Sequence, residues 1–123
     1  PLKRAKLTAL LTQFESAYQA GNVPQLTRLF AADARTTDAQ GRGEIVRVYR
    51  QLFEVTDRRE IGIDNVAWEI REGQAHGAAH FVVTVLEKGA RVPRSYTGAL
   101  SIVIKPDQEG LTISQLYHKY ALR

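Results

Sequence analysis

Residues 45–70 read IVRVYRQLFEVTDRREIGIDNVAWEI, and the apolar period changes inside them. Ile45, Val48, Tyr49, Leu52 and Phe53 follow one another at steps of 3, 1, 3 and 1, the stripe of an amphipathic helix. From Ile61 the period is 2. Ile61 and Ile63 alternate, then Val66, Trp68 and Ile70 alternate in the opposite parity, so a strand with a bulge near Asp64–Asn65 is expected. The switch divides the chain into a helical first part and a sheet-forming second part.

Upstream, Leu7, Leu10, Leu11, Phe14, Ala17 and Tyr18 form another helical stripe, ended by Gly21. Asn22 then caps a short second helix with Pro24 in its first turn, and Leu26, Leu29 and Phe30 are its buried edge. A short extended piece is expected around Arg35–Asp38, and Gly41 and Gly43 bracket the turn into the third helix. Downstream, Glu72–Gly73, Lys88–Gly89 and the loop Pro106–Gly110 separate strands over 75–87, 94–105 and 111–120. Three helices followed by an antiparallel meander make an α+β fold, with the helices on one face of a curved sheet.

The 123 residues suit a single domain over 1–123, and 44% hydrophobic with 24% charged is globular composition. Without cysteine there are no disulfides, thiolate chemistry, zinc fingers or iron–sulfur clusters. No apolar run approaches the roughly 20 residues of a bilayer span, so membrane insertion is not expected. The net charge of +4 is not gathered into one block. Lys3, Arg4 and Lys6, then Arg58 and Arg59, then Lys88, Arg91 and Arg94 read as solvated residues at termini and turns, and no nucleic-acid partner is expected. Nothing fixes the compartment; for a soluble chain the cytoplasm is slightly favoured. The chain opens at Pro1 without an initiator Met or a signal-peptide apolar region, which suits a processed chain or the C-terminal domain of a longer protein.

The runs Phe14-Glu-Ser-Ala-Tyr18-Gln-Ala-Gly21-Asn22 and Leu29-Phe30-Ala-Ala-Asp33-Ala, continued by Gly41-Arg42-Gly43-Glu44-Ile45, resemble the N-terminal signature of the NTF2-like superfamily. That superfamily includes SnoaL-like and ketosteroid-isomerase-like proteins. The likeness spans essentially the whole chain and implies a cone of three N-terminal helices on a strongly curved, mostly antiparallel sheet. In this signature Asp33 reads as a turn residue capping local N–H groups, with Phe30 anchoring the turn. As to function, the resemblance implies a cavity between helices and sheet, and the superfold hosts both enzymes and plain binding domains.

The ketosteroid-isomerase branch implies a general base at Asp38. Its oxyanion donors, however, fall on Phe14 and about Ile102, neither of which can donate, and each missing donor forgoes roughly 10²–10³ in rate. Steroid-type isomerisation is therefore not expected. Asp38 is either a surface turn residue or, if it meets the cavity, a base with a raised pKa. Tyr18 is either a core tyrosine or a ligand's hydrogen-bond donor. The expected pocket walls are Phe14, Tyr18, Tyr49, Phe53, Trp68, Tyr96, Leu100 and Ile102.

His76 and His80, four apart on a strand, stand about 13 Å apart, too far to share a metal. His118 could meet His80 only across neighbouring strands. No metal site, cofactor, catalytic triad or phosphate loop is expected, and Gly41-Arg42-Gly43 is too short for the last.

Two functions fit. The first is a non-catalytic module for small-ligand binding or dimerisation. The second is a small SnoaL-like enzyme performing proton transfer, isomerisation or hydration of an apolar substrate, with Asp38 as base and Tyr18 as donor. A homodimer through the outer sheet face is also expected. There Ser95, Thr97, Ala99, Ser101 and Val103, beside His80, Val82, Thr84 and Leu86, lack the polar alternation of a solvated face. The resemblance implies dimers as well.

Overall fold

The helices and strands follow from the two periodicities. In the structure, a computed structural model that describes residues 2–108 and 110–121, α1 spans Arg4–Ala20, α2 Val23–Arg28 and α3 Arg42–Val55. The strands are β1 (Phe30–Thr36), β2 (Thr56–Arg71), β3 (Gln74–Glu87), β4 (Arg94–Asp107) and β5 (Gly110–Tyr120). Glu109, in the expected Pro106–Gly110 loop, lies outside the described residues. No helix among the described residues is long and apolar enough to cross a membrane.

One five-stranded sheet forms in the order β1-β5-β4-β3-β2. The meander β2 to β5 is antiparallel, β1 pairs with β5 in parallel, and α3 connects the edge strand β1 to the opposite edge strand β2. The expected bulge lies between Asp64 and Ala67, with Asn65 at φ 54°. α1 ends at Gly21, whose φ of 67° suits a residue without a side chain. The Asn22 side chain accepts the Gln25 N–H at 3.0 Å and starts α2. The core forms where the α1 stripe, Leu26, Phe30 and Ile45 meet the inner sheet residues Ala75, Phe81, Leu100, Ile102, Ile104 and Ile113.

Three local readings need correction. Phe30 is the first residue of β1, not the edge of α2, and the extended piece begins five residues before Arg35. Leu26, Leu29 and Phe30 share a helical spacing, but the Ile113 N–H bonds the Leu29 carbonyl at 2.7 Å and draws the chain into the sheet. Asp33 consequently caps no turn; it stands exposed on β1, 3.6 Å from the Lys105 ammonium. Gly43 lies inside the first turn of α3.

Arg59 is not a solvated charge either. It donates to the Tyr18 carbonyl (3.1 Å), the Thr56 carbonyl (3.0 Å) and Thr56 Oγ1 (2.6 Å), and its guanidinium lies 4.9 Å from the Phe53 ring centre. The bond to Tyr18 fastens the end of α1 to the start of β2, and the contacts with Thr56 and Phe53 hold the guanidinium in place for it.

An edge strand presents unpaired N–H groups, and β2 is a long one. α1 satisfies two of them. Glu15 Oε2 accepts the Ile63 N–H at 2.9 Å, and Gln19 Oε1 accepts the Ile61 N–H at 3.1 Å. The spacing of four puts both side chains on one face of α1, and the matching spacing of two puts both N–H groups on one edge of β2.

Removing the Glu15 acceptor leaves a part-buried N–H unsatisfied. Glu15→Ala should lower the unfolding free energy by about 1–3 kcal/mol, and Glu15→Gln, which keeps an acceptor, by much less. Urea denaturation checks this; equal losses for the two variants would contradict it.

Candidate functional site

Helix stripes and sheet face do not meet everywhere. Between them lies a cavity of about 260 Å³ that opens to solvent at one end. α1 supplies Phe14 and Tyr18, and α3 supplies Ile45, Val48, Tyr49 and Leu52. The sheet supplies Ile61, Phe81, Val83, Leu100 and Leu116, with Thr36, Asp38, His118 and Tyr120 also in the lining. Phe14, Tyr18, Ile45 and Phe81 are buried, whereas Asp38 and Tyr120 are exposed, which identifies the mouth.

Aromatic rings form two clusters. On the helix side Tyr18 lies 6.1 Å from Phe14, 6.3 Å from Tyr49 and 6.0 Å from Phe53. On the sheet side His118 and Tyr120 are 4.9 Å apart, with Phe81 5.9 Å and Tyr96 5.5 Å from Tyr120. Such contacts fix ring positions and resist collapse of the space between them.

The mouth is held by short polar contacts. Thr37 Oγ1 accepts the His118 N–H at 2.8 Å and lies 3.4 Å from the His118 carbonyl, to which its hydroxyl donates. Thr36 Oγ1 accepts the Asp38 N–H at 3.3 Å. The turn carrying Asp38 is thereby hooked onto β5 beside His118. Asp38 is thus a turn residue that also lines the cavity.

The phenols are strong acids nowhere here. Burial, then the nearby Tyr120 and against a partial offset from Arg59, pushes the Tyr18 pKa up to about 12. Burial, with Tyr18, Asp38 and Tyr120 adding, pushes Tyr49 up further. Among the described residues neither hydroxyl has a hydrogen-bond partner, so both remain available as neutral donors to a bound group.

Of the residues expected from sequence, Phe14, Tyr18, Asp38, Tyr49 and Leu100 come together around the cavity. Phe53, Trp68, Tyr96 and Ile102 lie outside its lining. Phe53 backs Tyr18 and carries Arg59 on its face. Trp68 covers Gly77, where a Cβ would stand 2.6 Å from its ring, and Ile102 is fully buried. Tyr96 packs on Tyr120. His118 and Tyr120 were not expected in the lining, although both share the parity of Leu116 on β5, and that parity is the signal that identifies them. His118 pairs with Leu100 on the inner face and His80 with Ala99 on the outer, so the two histidines cannot meet.

Three helices packed on a curved five-stranded sheet, with a cavity between, define the NTF2-like fold, and the chain has that fold. No family model matches the sequence, and no curated protein matches it. Solved structures do. A provisional scytalone dehydratase from Novosphingobium aromaticivorans superposes with a TM-score of 0.88 at 10% identity, covering 94% of this chain and 82% of that one. An NTF2-like superfamily protein from Salmonella enterica serovar Typhimurium gives 0.87 at 13% identity, covering 97% and 91%. ActVI-ORFA from Streptomyces coelicolor gives 0.79 at 13% identity, covering 94% and 95%.

The raised phenol pKa values have a sign. The folded chain holds the Tyr18 proton to about pH 12, whereas the unfolded chain releases it near 10, so this stability is complete below pH 10 and lost as pH rises through 12. Tyr18→Phe should remove about 3 kcal/mol of the decline between those pH values, measured by chemical denaturation. An identical decline in the variant would contradict the burial of that hydroxyl.

Proposed function

We propose that this chain is a single domain over 1–123 that binds one small, mainly apolar ligand in its cavity. The observation that carries this reading is an open cavity holding two neutral phenol hydroxyls without protein partners. About 260 Å³ lies near the lower end of ligand pockets, which suits a one- or two-ring compound. The lining is apolar apart from the three phenols of Tyr18, Tyr49 and Tyr120, Thr36, Asp38 and His118, so the ligand's body is apolar and its few polar atoms lie toward the phenols or the mouth. The donor positions that the resemblance implies fall on Phe14, which cannot donate, and about Ile102, which is buried outside the lining, and this favours binding over steroid-type isomerisation.

Asp38 at the mouth of the same cavity favours a second reading, a SnoaL-like enzyme in which Asp38 takes a proton from an apolar substrate and Tyr18 donates to its oxygen. The provisional dehydratase among the similar structures fits this second reading. One experiment separates the two. 1-Naphthol should bind with perturbation of the NMR signals of Tyr49, Leu100 and His118, and Leu100→Trp, which fills the cavity, should weaken it at least tenfold. Catalysed deuterium exchange of 2-tetralone that Asp38→Asn abolishes would favour the enzyme. Naphthol binding unaffected by Leu100→Trp would overturn both.

The second part of the proposal is a homodimer through the outer sheet face. Ala67, Ala78, Ser101 and Tyr117 are cross-strand neighbours there, all exposed, with Val82 46% exposed nearby. A band of small and apolar side chains on a regular sheet suits two-fold pairing. Light scattering should give about twice 13.8 kDa at micromolar concentration, with Thr97→Glu or Ser101→Glu moving the mass toward one chain and leaving circular dichroism intact. A single-chain mass at high concentration would overturn it.

A further inference from the structure

The proposed ligand's polar end meets an unusual combination at the mouth. Asp38 forms no ion pair among the described residues. It shares the lining with Tyr49, Phe81, His118 and Tyr120, four ring-bearing side chains. The arginine nearest to Tyr18, Arg59, is outside the lining, its donors engaged by Tyr18, Thr56 and the face of Phe53. Lysine and arginine are altogether absent from the lining.

A carboxylate without a counter-ion at the rim of an apolar cavity attracts positive charge, and ring faces around it add to that attraction. They do so through their quadrupoles. An anionic ligand would meet the reverse field. We infer that the cavity takes an organic cation, whose ring occupies the apolar interior and whose ammonium group lies at the mouth against Asp38, beside the rings of His118 and Tyr120. This rests on the ligand-binding reading above and adds the charge of the ligand to it. The negative charge of Asp38 reaches the rings, since it helps hold the phenols of Tyr49 and Tyr120 in their neutral form. The hook from Thr37 to the His118 backbone keeps the Asp38 turn against the ring-bearing strand, so the carboxylate and the rings are presented together.

Three probes of one shape test the charge: 2-phenylethylammonium, neutral 2-phenylethanol and anionic 3-phenylpropanoate. Each is titrated into the full chain by NMR at pH 8, where imidazole side chains are ordinarily neutral. The ammonium probe should bind at least tenfold tighter than the alcohol, with the carboxylate weakest. Asp38→Asn should remove that preference, with ammonium affinity falling toward that of the alcohol. Tyr120→Leu should reduce the preference severalfold, and decides the matter should the Asp38 variant not fold. Equal affinity for ammonium and alcohol, or a preference that survives Asp38→Asn or is untouched by Tyr120→Leu, overturns the inference and leaves the pocket reading standing. If no probe perturbs a cavity signal, the pocket reading falls and the inference with it.

Discussion

The fastening of α1 to the free edge of β2 governs the rest of the molecule. Glu15 and Gln19 give acceptors to the Ile63 and Ile61 N–H groups, and Arg59 ties the Tyr18 carbonyl to Thr56. These contacts have directional geometry and lie at the rim of the sheet, not over its centre. α1 is therefore held along the edge of the cone with Phe14 and Tyr18 turned inward, and it cannot settle flat onto Phe81 and Leu100. The gap that remains is the cavity.

The same fastening has a second consequence. An edge strand of 16 residues with Ile61, Ile63, Val66 and Trp68 in it would otherwise be an open template for pairing with another chain. Covering it with polar side chains from α1 satisfies the backbone at little hydrophobic cost, because the stripe of α1 stays free to pack on Leu26, Phe30 and Ile45. The cavity's chemistry follows from its walls. Burial among the rings keeps the Tyr18 and Tyr49 phenols neutral, while the Asp38 carboxylate stands at the open mouth.

Much of the fold was legible in the residues, and the reason is periodicity. The change from 3.6 to 2 near residue 58 identified the α+β class, and the parity shift after Ile63 located the bulge. The start of β1 was not legible, because Leu26, Leu29 and Phe30 repeat like a helix while a hydrogen bond from a strand over eighty residues away decides their conformation. Arg59 reads as a surface charge until the carbonyls it serves are known. The site was half legible. Phe14, Tyr18, Asp38, Tyr49 and Leu100 follow from stripes and from the family resemblance, but His118 and Tyr120 depend on β5 lying beside the turn at Thr37. Whether stripes and sheet leave a void is a matter of volumes, and a linear pattern carries no volumes.

Native-state hydrogen exchange at Ile61 and Ile63 tests the fastening most directly. Both amides lie on the outer edge of an edge strand, where a group facing water exchanges rapidly. If Glu15 and Gln19 hold them, they exchange slowly, with protection close to that of the paired amides of β3. Exchange at the rate of an open strand edge would contradict the account, and with it the reason given for the cavity.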